Sequence, residues 1–322
     1  MLRAAAIFAL LAAGAAPAPP DQPPSGPGGA DYAHEAVARR AYGTGAGQYW
    51  LFEPAEPTPA SAPVVVFVHG WMGIPPAIYM GWIRHIVRRG RIVVYPRYQE
   101  GALTRPWTFT PNALGAVKQA LAKLEEPGHV RPERGHFALV GHSAGGAIAA
   151  DLAALAAEEG LPKPRALMVV QPGRGVGRAR TPFFPAADYT KIPGDTLLLV
   201  VVGEDDRLVG ERAAKDLFRQ VSHIPPERKD YVLVRSDDHG EPPLVADHLS
   251  PCSPLRPHPV FPGRRIDALD YYAYWKLFDA LTDYAFAGTH GEVALGDTPR
   301  QRYMGRWSDG APVAELRVTD AP

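Results

Sequence analysis

Short apolar segments alternate with longer amphipathic ones along most of the chain. Val64 to Val68 is a continuous run of β-branched and aromatic residues, as expected of a strand buried on both faces of a sheet. Similar patterns predict further strands over residues 49–52, 91–95, 137–140, 166–170, 196–202 and 230–234. Helices are predicted between them over residues 111–124, 146–158, 208–220 and 266–286. This alternation predicts an α/β fold with a doubly wound, mostly parallel sheet and helices on both faces.

The amino-terminal end has a different pattern. Residues 1–15 contain Arg3, then an apolar run and small residues, which is typical of a signal peptide cleaved in the Ala13–Ala18 region. The alternative is an apolar helix that the mature protein keeps. With cleavage, we expect a secreted or periplasmic protein with no stable membrane span. Residues 16–30, rich in Pro and Gly with few large apolar side chains, are predicted to be a linker.

The other boundaries follow from the extent of the alternating pattern. It places the main domain at residues 31–288, with an irregular insertion at residues 171–194 that is long enough to form a small cap. Residues 289–322 contain aromatic residues and glycines, which indicate an extension packed on the domain.

Composition narrows the function classes. The chain has 322 residues, of which 46% are hydrophobic, enough to fill the core of one catalytic domain. Its 34 basic and 34 acidic residues balance, and no basic block is interleaved with aromatic residues, so no nucleic-acid partner is expected. Cys252 is the only cysteine, which excludes an intramolecular disulfide and a multi-cysteine metal site. No metal and no organic cofactor is expected.

A candidate nucleophile follows the predicted strand 137–140. The sequence there is Gly141-His142-Ser143-Ala144-Gly145-Gly146, and an alanine-rich helix is predicted directly after it. A Gly-x-Ser-x-Gly turn between a strand and a helix holds the serine in a strained conformation, and the glycines prevent clashes with the two elements. The pattern predicts that the Ser143 hydroxyl is exposed at the carboxyl edge of the sheet.

These residues resemble the α/β-hydrolase superfamily, specifically its serine esterase and lipase branch, over residues 49–286. The resemblance implies the α/β-hydrolase fold and a triad ordered along the chain as nucleophile, acid and histidine. Asp206 matches the family's acid in the turn after strand 196–202, with Asp205 as the rival. His239 matches the catalytic histidine after the last strand, with His248 as its nearest competitor.

The resemblance also implies the residues around the reacting carbonyl. The oxyanion hole would use the backbone N–H groups of Ala144 and of Trp71, which follows His69-Gly70 after the strand 64–68. The sequence departs here from the His-Gly-Gly-Gly run of another esterase branch, because bulky Trp71 and Met72 come next. The side chains predicted to line the substrate pocket are Met72, His142, Phe183 and Phe184.

A Ser143, Asp206 and His239 triad predicts hydrolysis of carboxylic esters. Serine is a weak nucleophile, so a neutral imidazole must accept its proton and a carboxylate must orient that imidazole. We expect an acyl-enzyme on Ser143 and a small-molecule or lipid ester as substrate. Two alternatives remain: an acyltransferase or peptidase with the same triad, and a non-catalytic homologue that binds a ligand in the old pocket.

Overall fold

The computed structural model of the protein describes residues 16–175, 183–257 and 263–322. These residues form nine strands, which are β1 Ala36–Tyr42, β2 Tyr49–Ala55, β3 Ser61–Val68, β4 Ile92–Pro96, β5 Arg131–His142, β6 Pro164–Val170, β7 Leu197–Gly203, β8 Lys229–Val234 and β9 Arg317–Thr319. They make one sheet in the order β1-β2-β4-β3-β5-β6-β7-β8-β9. The six strands from β4 to β8 are parallel, and β1, β2 and β9 join the two edges antiparallel. The predicted doubly wound, mostly parallel sheet is confirmed.

Helices cover both faces of this sheet. They are α1 Met80–Arg88, α2 Phe109–Lys123, α3 Ala144–Leu155, α4 Arg212–Gln220, α5 Lys276–Ala287, α6 Gly291–Ala294 and α7 Pro299–Arg302. Helices α2, α3 and α4 pack on one face, while α1 and α5 pack on the other. In β3, Val64, Val66 and Val68 enter the first core and Val65 and Phe67 enter the second. Both faces of β3 are therefore buried, which explains its uninterrupted apolar run.

The helix boundaries differ in places from those predicted. Helix α2 begins at Phe109, two residues before Pro111, which fits because a proline in the first helical turn removes no intrahelical hydrogen bond. Helix α4 begins only at Arg212, since Leu208 and Val209 donate their N–H groups to a carboxylate in the preceding turn. The predicted helix at residues 266–286 is a π-helical segment, Asp270–Trp275, followed by α5.

The amino-terminal segment at residues 16–30 has no helix or strand, yet it is not a free linker. The N–H of Gly28 donates to Asp279 at 2.9 Å, and Ala18 and Ser308 hydrogen-bond each other through both backbone N–H groups. Backbone hydrogen bonds, rather than large apolar side chains, hold the segment against the domain. Its prolines lower the entropic cost of ordering it.

An ion cluster lies under this segment. Asp279 is buried, hydrogen-bonds His85 at 2.8 Å and the Gly28 N–H, and forms an ion pair with Arg89 at 3.1 Å. Burial alone would raise the pKa of the Asp279 carboxyl, but His85, Arg89 and Arg91 together hold it well below the ordinary value. The folded protein therefore keeps this carboxylate ionised in its interior.

The carboxyl-terminal residues 289–322 pack on the domain. Strand β9 extends the sheet beside β8, and the Trp307 side chain is buried with its ring N–H donating to Asp237 at 3.1 Å. The Lys276 ammonium donates to the backbone carbonyls of Gln301 and Tyr303. Burial lowers the pKa of this lysine to about 7.

No helix in the described ranges is both long and apolar enough to cross a membrane. The predicted signal peptide at residues 1–15 lies outside the described residues.

The ion cluster yields a pH-dependent stability prediction. Asp279→Asn should lower the free energy of unfolding at pH 7 by about 3 kcal/mol, because it leaves buried cations without their counter-charge. A carboxyl whose folded-state pKa is depressed stabilises the fold above its unfolded pKa, and that contribution is lost as pH falls. The gap between wild type and variant should therefore shrink between pH 7 and pH 3. Urea unfolding at both pH values measures it.

The matched control is Asp195→Asn, which breaks an exposed pair with Lys163 and should cost under about 0.5 kcal/mol. An equal loss for Asp279→Asn at both pH values would show that packing, not charge, stabilises the cluster.

Candidate active site

Ser143 is the single residue between the end of β5 and the start of α3. Its backbone has φ 58° and ψ −127°, a region that costs a non-glycine residue energy. A Cβ at Gly141 would lie 2.2 Å from the Gly145 carbonyl oxygen, and one at Gly145 would lie 2.1 Å from the Val68 carbonyl oxygen. Both positions require glycine, and the strained turn presents the Ser143 side chain at the carboxyl end of β5.

Ser143 contacts a histidine that in turn contacts an aspartate. His248 Nε2 lies 2.9 Å from Ser143 Oγ, and His248 Nδ1 lies 2.7 Å from Asp206 Oδ2. The other Asp206 oxygen accepts the N–H groups of Leu208 and Val209 at 2.9 and 3.1 Å. Burial would raise the pKa of Asp206, but the hydrogen bond and charge of His248, with the two N–H donors, hold it below the ordinary value.

The structure corrects the prediction that His239 is the catalytic histidine. His239 does not reach Ser143: it is exposed, and its Nε2 lies 2.8 Å from Asp309 in the carboxyl-terminal segment. The reason is the path of the chain after β8, where Asp237 and Leu244 pair as an antiparallel bridge and leave His239 in the connecting turn. The returning chain then brings His248 to Ser143, and the competitor takes the place expected of His239.

A sequence signal for this exchange exists. His239 is flanked by Asp237, Asp238, Gly240 and Glu241, a polar stretch typical of an exposed turn. His248 follows Leu244 and Ala246, which are both buried, with exposed Val245 between them and Asp247 after them. The pattern of burial, rather than closeness to the last strand, distinguishes the two histidines.

The structure also distinguishes between Asp206 and Asp205, the two candidates for the acid that contacts the histidine. Asp205 accepts a hydrogen bond from the Ser236 hydroxyl at 2.6 Å and lies 3.7 Å from Arg207. Its carboxylate therefore binds the loop after β8 and its own turn, not the histidine. Asp206 is the one that contacts the histidine. In the described ranges, no group of three His, Cys, Asp or Glu side chains is arranged to hold a metal ion.

Comparison with known proteins adds the family. The family described as alpha/beta hydrolase fold matches residues 65–214, which include Ser143 and Asp206. This match covers just under half of the chain and, together with the mostly parallel sheet, supports the α/β-hydrolase superfamily. No curated protein matches the chain. His248 lies beyond the matched residues, so its place beside Ser143 comes from the structure alone.

The loop after β3 is a tight turn beside Ser143. A Cβ at Gly70 would lie 3.2 Å from Ser143 Cβ, and the Gly73 N–H closes the turn on the Gly70 carbonyl. The N–H of Met72, at φ 63°, donates to the buried Gln99 side chain at 2.8 Å. Among the described residues, no acceptor takes the backbone N–H of Trp71.

The four predicted pocket side chains divide into two pairs. Met72 and Phe183 are exposed, at 40% and 54% of their surface, on loops at the carboxyl edge of the sheet. Phe184 is buried against Phe109, and His142 is 2% exposed with both ring nitrogens engaged by protein groups. The prediction that His142 lines the pocket is wrong, because β5 turns its side chain into the protein interior.

The predicted cap at residues 171–194 is described only outside residues 176–182. Arg174 bonds the buried Asp151 of α3, and its guanidinium lies 4.6 Å from the centre of the Phe184 ring. The Asp151 carboxylate also accepts the Ala187 N–H at 2.9 Å. These contacts fasten the insertion to α3, the helix that begins directly after Ser143.

The turn around Ser143 yields a second prediction. Gly145→Ala should destabilise the protein by about 3 kcal/mol, since the added methyl group would overlap two carbonyl oxygens of the β3 end and force α3 to move. Gly115→Ala is the control, because its Cβ meets nothing within 4 Å and Ala favours the interior of α2. That control should stabilise by about 0.5–1 kcal/mol. Urea unfolding of both variants gives the comparison, and equal effects would contradict the steric argument.

Proposed function

We propose that this protein hydrolyses carboxylic esters through an acyl-enzyme formed on Ser143, with His248 as the general base and Asp206 as its orienting acid. One observation carries the proposal: the two ring nitrogens of His248 lie 2.9 Å from Ser143 Oγ and 2.7 Å from Asp206 Oδ2. The family match supports a hydrolase of this fold. The serine chemistry and the ester substrate are the added inference.

The chemistry follows from these contacts. Asp206 accepts a hydrogen bond from the N–H at Nδ1 of His248, which leaves Nε2 without a proton and able to take the proton of Ser143 Oγ as that oxygen attacks the ester carbonyl. The imidazolium then donates the proton to the leaving alcohol, and the acyl group stays on Ser143. Water enters, gives its proton to Nε2 and releases the acid, and Ser143 regains its proton.

Two backbone N–H groups near Ser143 support an oxyanion hole for the developing negative charge. Ala144 is the first residue of α3, so its N–H stands at a helix amino terminus next to Ser143. Trp71 follows Gly70, where an added Cβ would lie 3.2 Å from Ser143 Cβ. We propose the N–H groups of Trp71 and Ala144 as the oxyanion hole.

Exposed apolar side chains support an apolar ester as the substrate. In the described part of the chain, eight large apolar side chains are exposed on loops that follow β3, β4, β6, β7 and β8, and these are Trp71, Met72, Leu103, Trp107, Phe183, Leu208, Val245 and Leu255. The carboxyl ends of parallel strands meet at one edge, which is also where Ser143 lies. Apolar surface concentrated around one site marks a place where apolar molecules bind.

The first functional prediction concerns Ser143. The purified protein should hydrolyse p-nitrophenyl esters, with kcat/KM rising from acetate to octanoate as the acyl chain covers apolar surface, and a fluorophosphonate probe should label it once. Ser143→Ala should abolish both. Mass spectrometry of the labelled peptide identifies the site.

A peptide substrate and an alcohol acceptor serve as controls in the same assay. Faster transfer to the alcohol than to water would favour an acyltransferase, and cleavage of the peptide without ester turnover would favour a peptidase. Labelling of another serine would overturn the assignment of Ser143.

The second functional prediction separates the two histidines. His248→Ala should lower kcat by at least about 10⁴-fold, because the serine proton then has no acceptor. His239→Ala changes an exposed histidine with a carboxylate partner of its own, so kcat/KM should stay within about twofold of wild type. Steady-state kinetics of the two variants decide between them, and the reverse ranking would return the role to His239.

The cellular location is also a proposal. The charged, apolar and small residues of segment 1–15 support export to the periplasm or the medium.

A further inference from the structure

Three buried polar side chains stand behind the Ser143 site: Tyr79, His142 and Gln171. Tyr79 Oη lies 2.8 Å from His142 Nδ1 and accepts the Gly70 N–H at 3.1 Å. His142 Nε2 lies 2.8 Å from the backbone carbonyl oxygen of His248. The set therefore connects the loop after β3 with the loop that carries His248.

The direction of each hydrogen bond in this set is fixed. His142 Nε2 faces two acceptors, the His248 carbonyl at 2.8 Å and Gln171 Oε1 at 3.2 Å, so Nε2 carries the ring proton. Nδ1 is then an acceptor, and the Tyr79 hydroxyl donates to it. Burial lowers the pKa of His142 to about 3, and the nearby charge of His248 acts in the same direction, so this ring stays neutral.

A second side chain holds the same stretch of backbone. The Gln171 amide donates to the Asp247 carbonyl at 2.8 Å, while His142 donates to the next carbonyl along the chain, that of His248. Gln171 follows β6 and His142 ends β5, so the rigid parallel sheet fixes both donors. Side chains fixed by the sheet thus bind two successive carbonyl groups, that of Asp247 and that of the general base His248.

The other end of the set reaches the proposed oxyanion hole. Gly70 directly precedes Trp71, and its N–H is held by the Tyr79 hydroxyl. The Tyr79 ring packs 5.2 Å from Phe67 in β3, so the hydroxyl is anchored to the same strand that leads into the loop. A shift of Tyr79 would move the backbone beside Trp71 and release Nδ1 of His142.

We propose that Tyr79 and His142 are positioning residues: the chain of hydrogen bonds from Gly70 N–H through both side chains to the His248 carbonyl keeps the oxyanion loop and the general base in mutual register. This inference rests on the proposed function of Ser143 and His248. The two side chains touch neither substrate nor reacting atoms, and they act through the backbone they hold. Small displacements of such supports are costly because catalysis depends on near-exact placement of reacting groups.

The test removes one hydroxyl. Tyr79→Phe keeps the ring packing but leaves the Gly70 N–H and His142 Nδ1 without their partner, so kcat should fall about tenfold to hundredfold with KM unchanged. His142→Leu should lower kcat by at least as much. His142→Gln, whose amide reaches the position of Nε2 and can donate to the His248 carbonyl, should recover much of the loss. The double variant Tyr79→Phe with His142→Leu should be no worse than His142→Leu alone, since both break one chain.

Tyr42→Phe is the matched control. It also removes a tyrosine hydroxyl bonded to a histidine, Tyr42 Oη to His129 Nε2 at 3.1 Å, but on edge strand β1 and at the amino end of β5, the end opposite Ser143. Its kcat should match wild type. Rates are expressed per active site, counted with the fluorophosphonate probe, so that partial unfolding does not count as lost catalysis.

A second readout does not depend on turnover. The proton between His248 Nδ1 and Asp206 should give a downfield proton NMR signal, and Tyr79→Phe and His142→Leu should broaden or shift it while Tyr42→Phe should not. Wild-type kcat and an unchanged signal in both site variants would overturn the positioning role. Ester turnover that survives Ser143→Ala would instead overturn the proposed function, and the NMR signal would still decide whether the chain positions His248.

Discussion

The close approach of Gly145 to the carbonyl oxygens of Val68 and His69 is the constraint on which the site depends. A single methyl group would not fit, since it would lie 2.1 and 2.2 Å from those two oxygens. The approach brings the first turn of α3 against the end of β3. It thereby sets Ser143, the helix amino terminus and the loop at Gly70 side by side, before any polar contact is made.

The fold could be predicted from sequence because the sheet is buried on both faces. Runs such as Val64–Val68 have no polar alternation, and each is followed by a helical pattern, so the strands and their parallel order follow from local residues. Ser143 could be placed for the same reason, because its turn is a local structure with steric needs that only glycine meets. Asp206 follows β7 at a short distance, and a short turn leaves little freedom.

The histidine could not be placed by the same reasoning. Fourteen positions separate Val234 at the end of β8 from His248, and the chain between them reverses direction at the Asp237 and Leu244 bridge. Which residue returns to the sheet edge depends on that non-local path. The hydrogen-bond partners of residues 16–30 could not be predicted for the same reason, because Asp279 and Ser308 lie more than two hundred positions away.

The anchoring of the amino-terminal segment also bears on the order of folding. A ribosome delivers residues 16–30 before almost everything else, but their hydrogen-bond partners at Asp279 and Ser308 are made last. The segment must wait until synthesis is nearly complete, since contacts between distant positions form only after the intervening chain has emerged. Closure of the two chain ends on each other is thus a late event, and a nascent chain that ends before residue 279 has the sheet strands β1 to β8 but lacks the partners that Asp279 and Ser308 give to its own beginning.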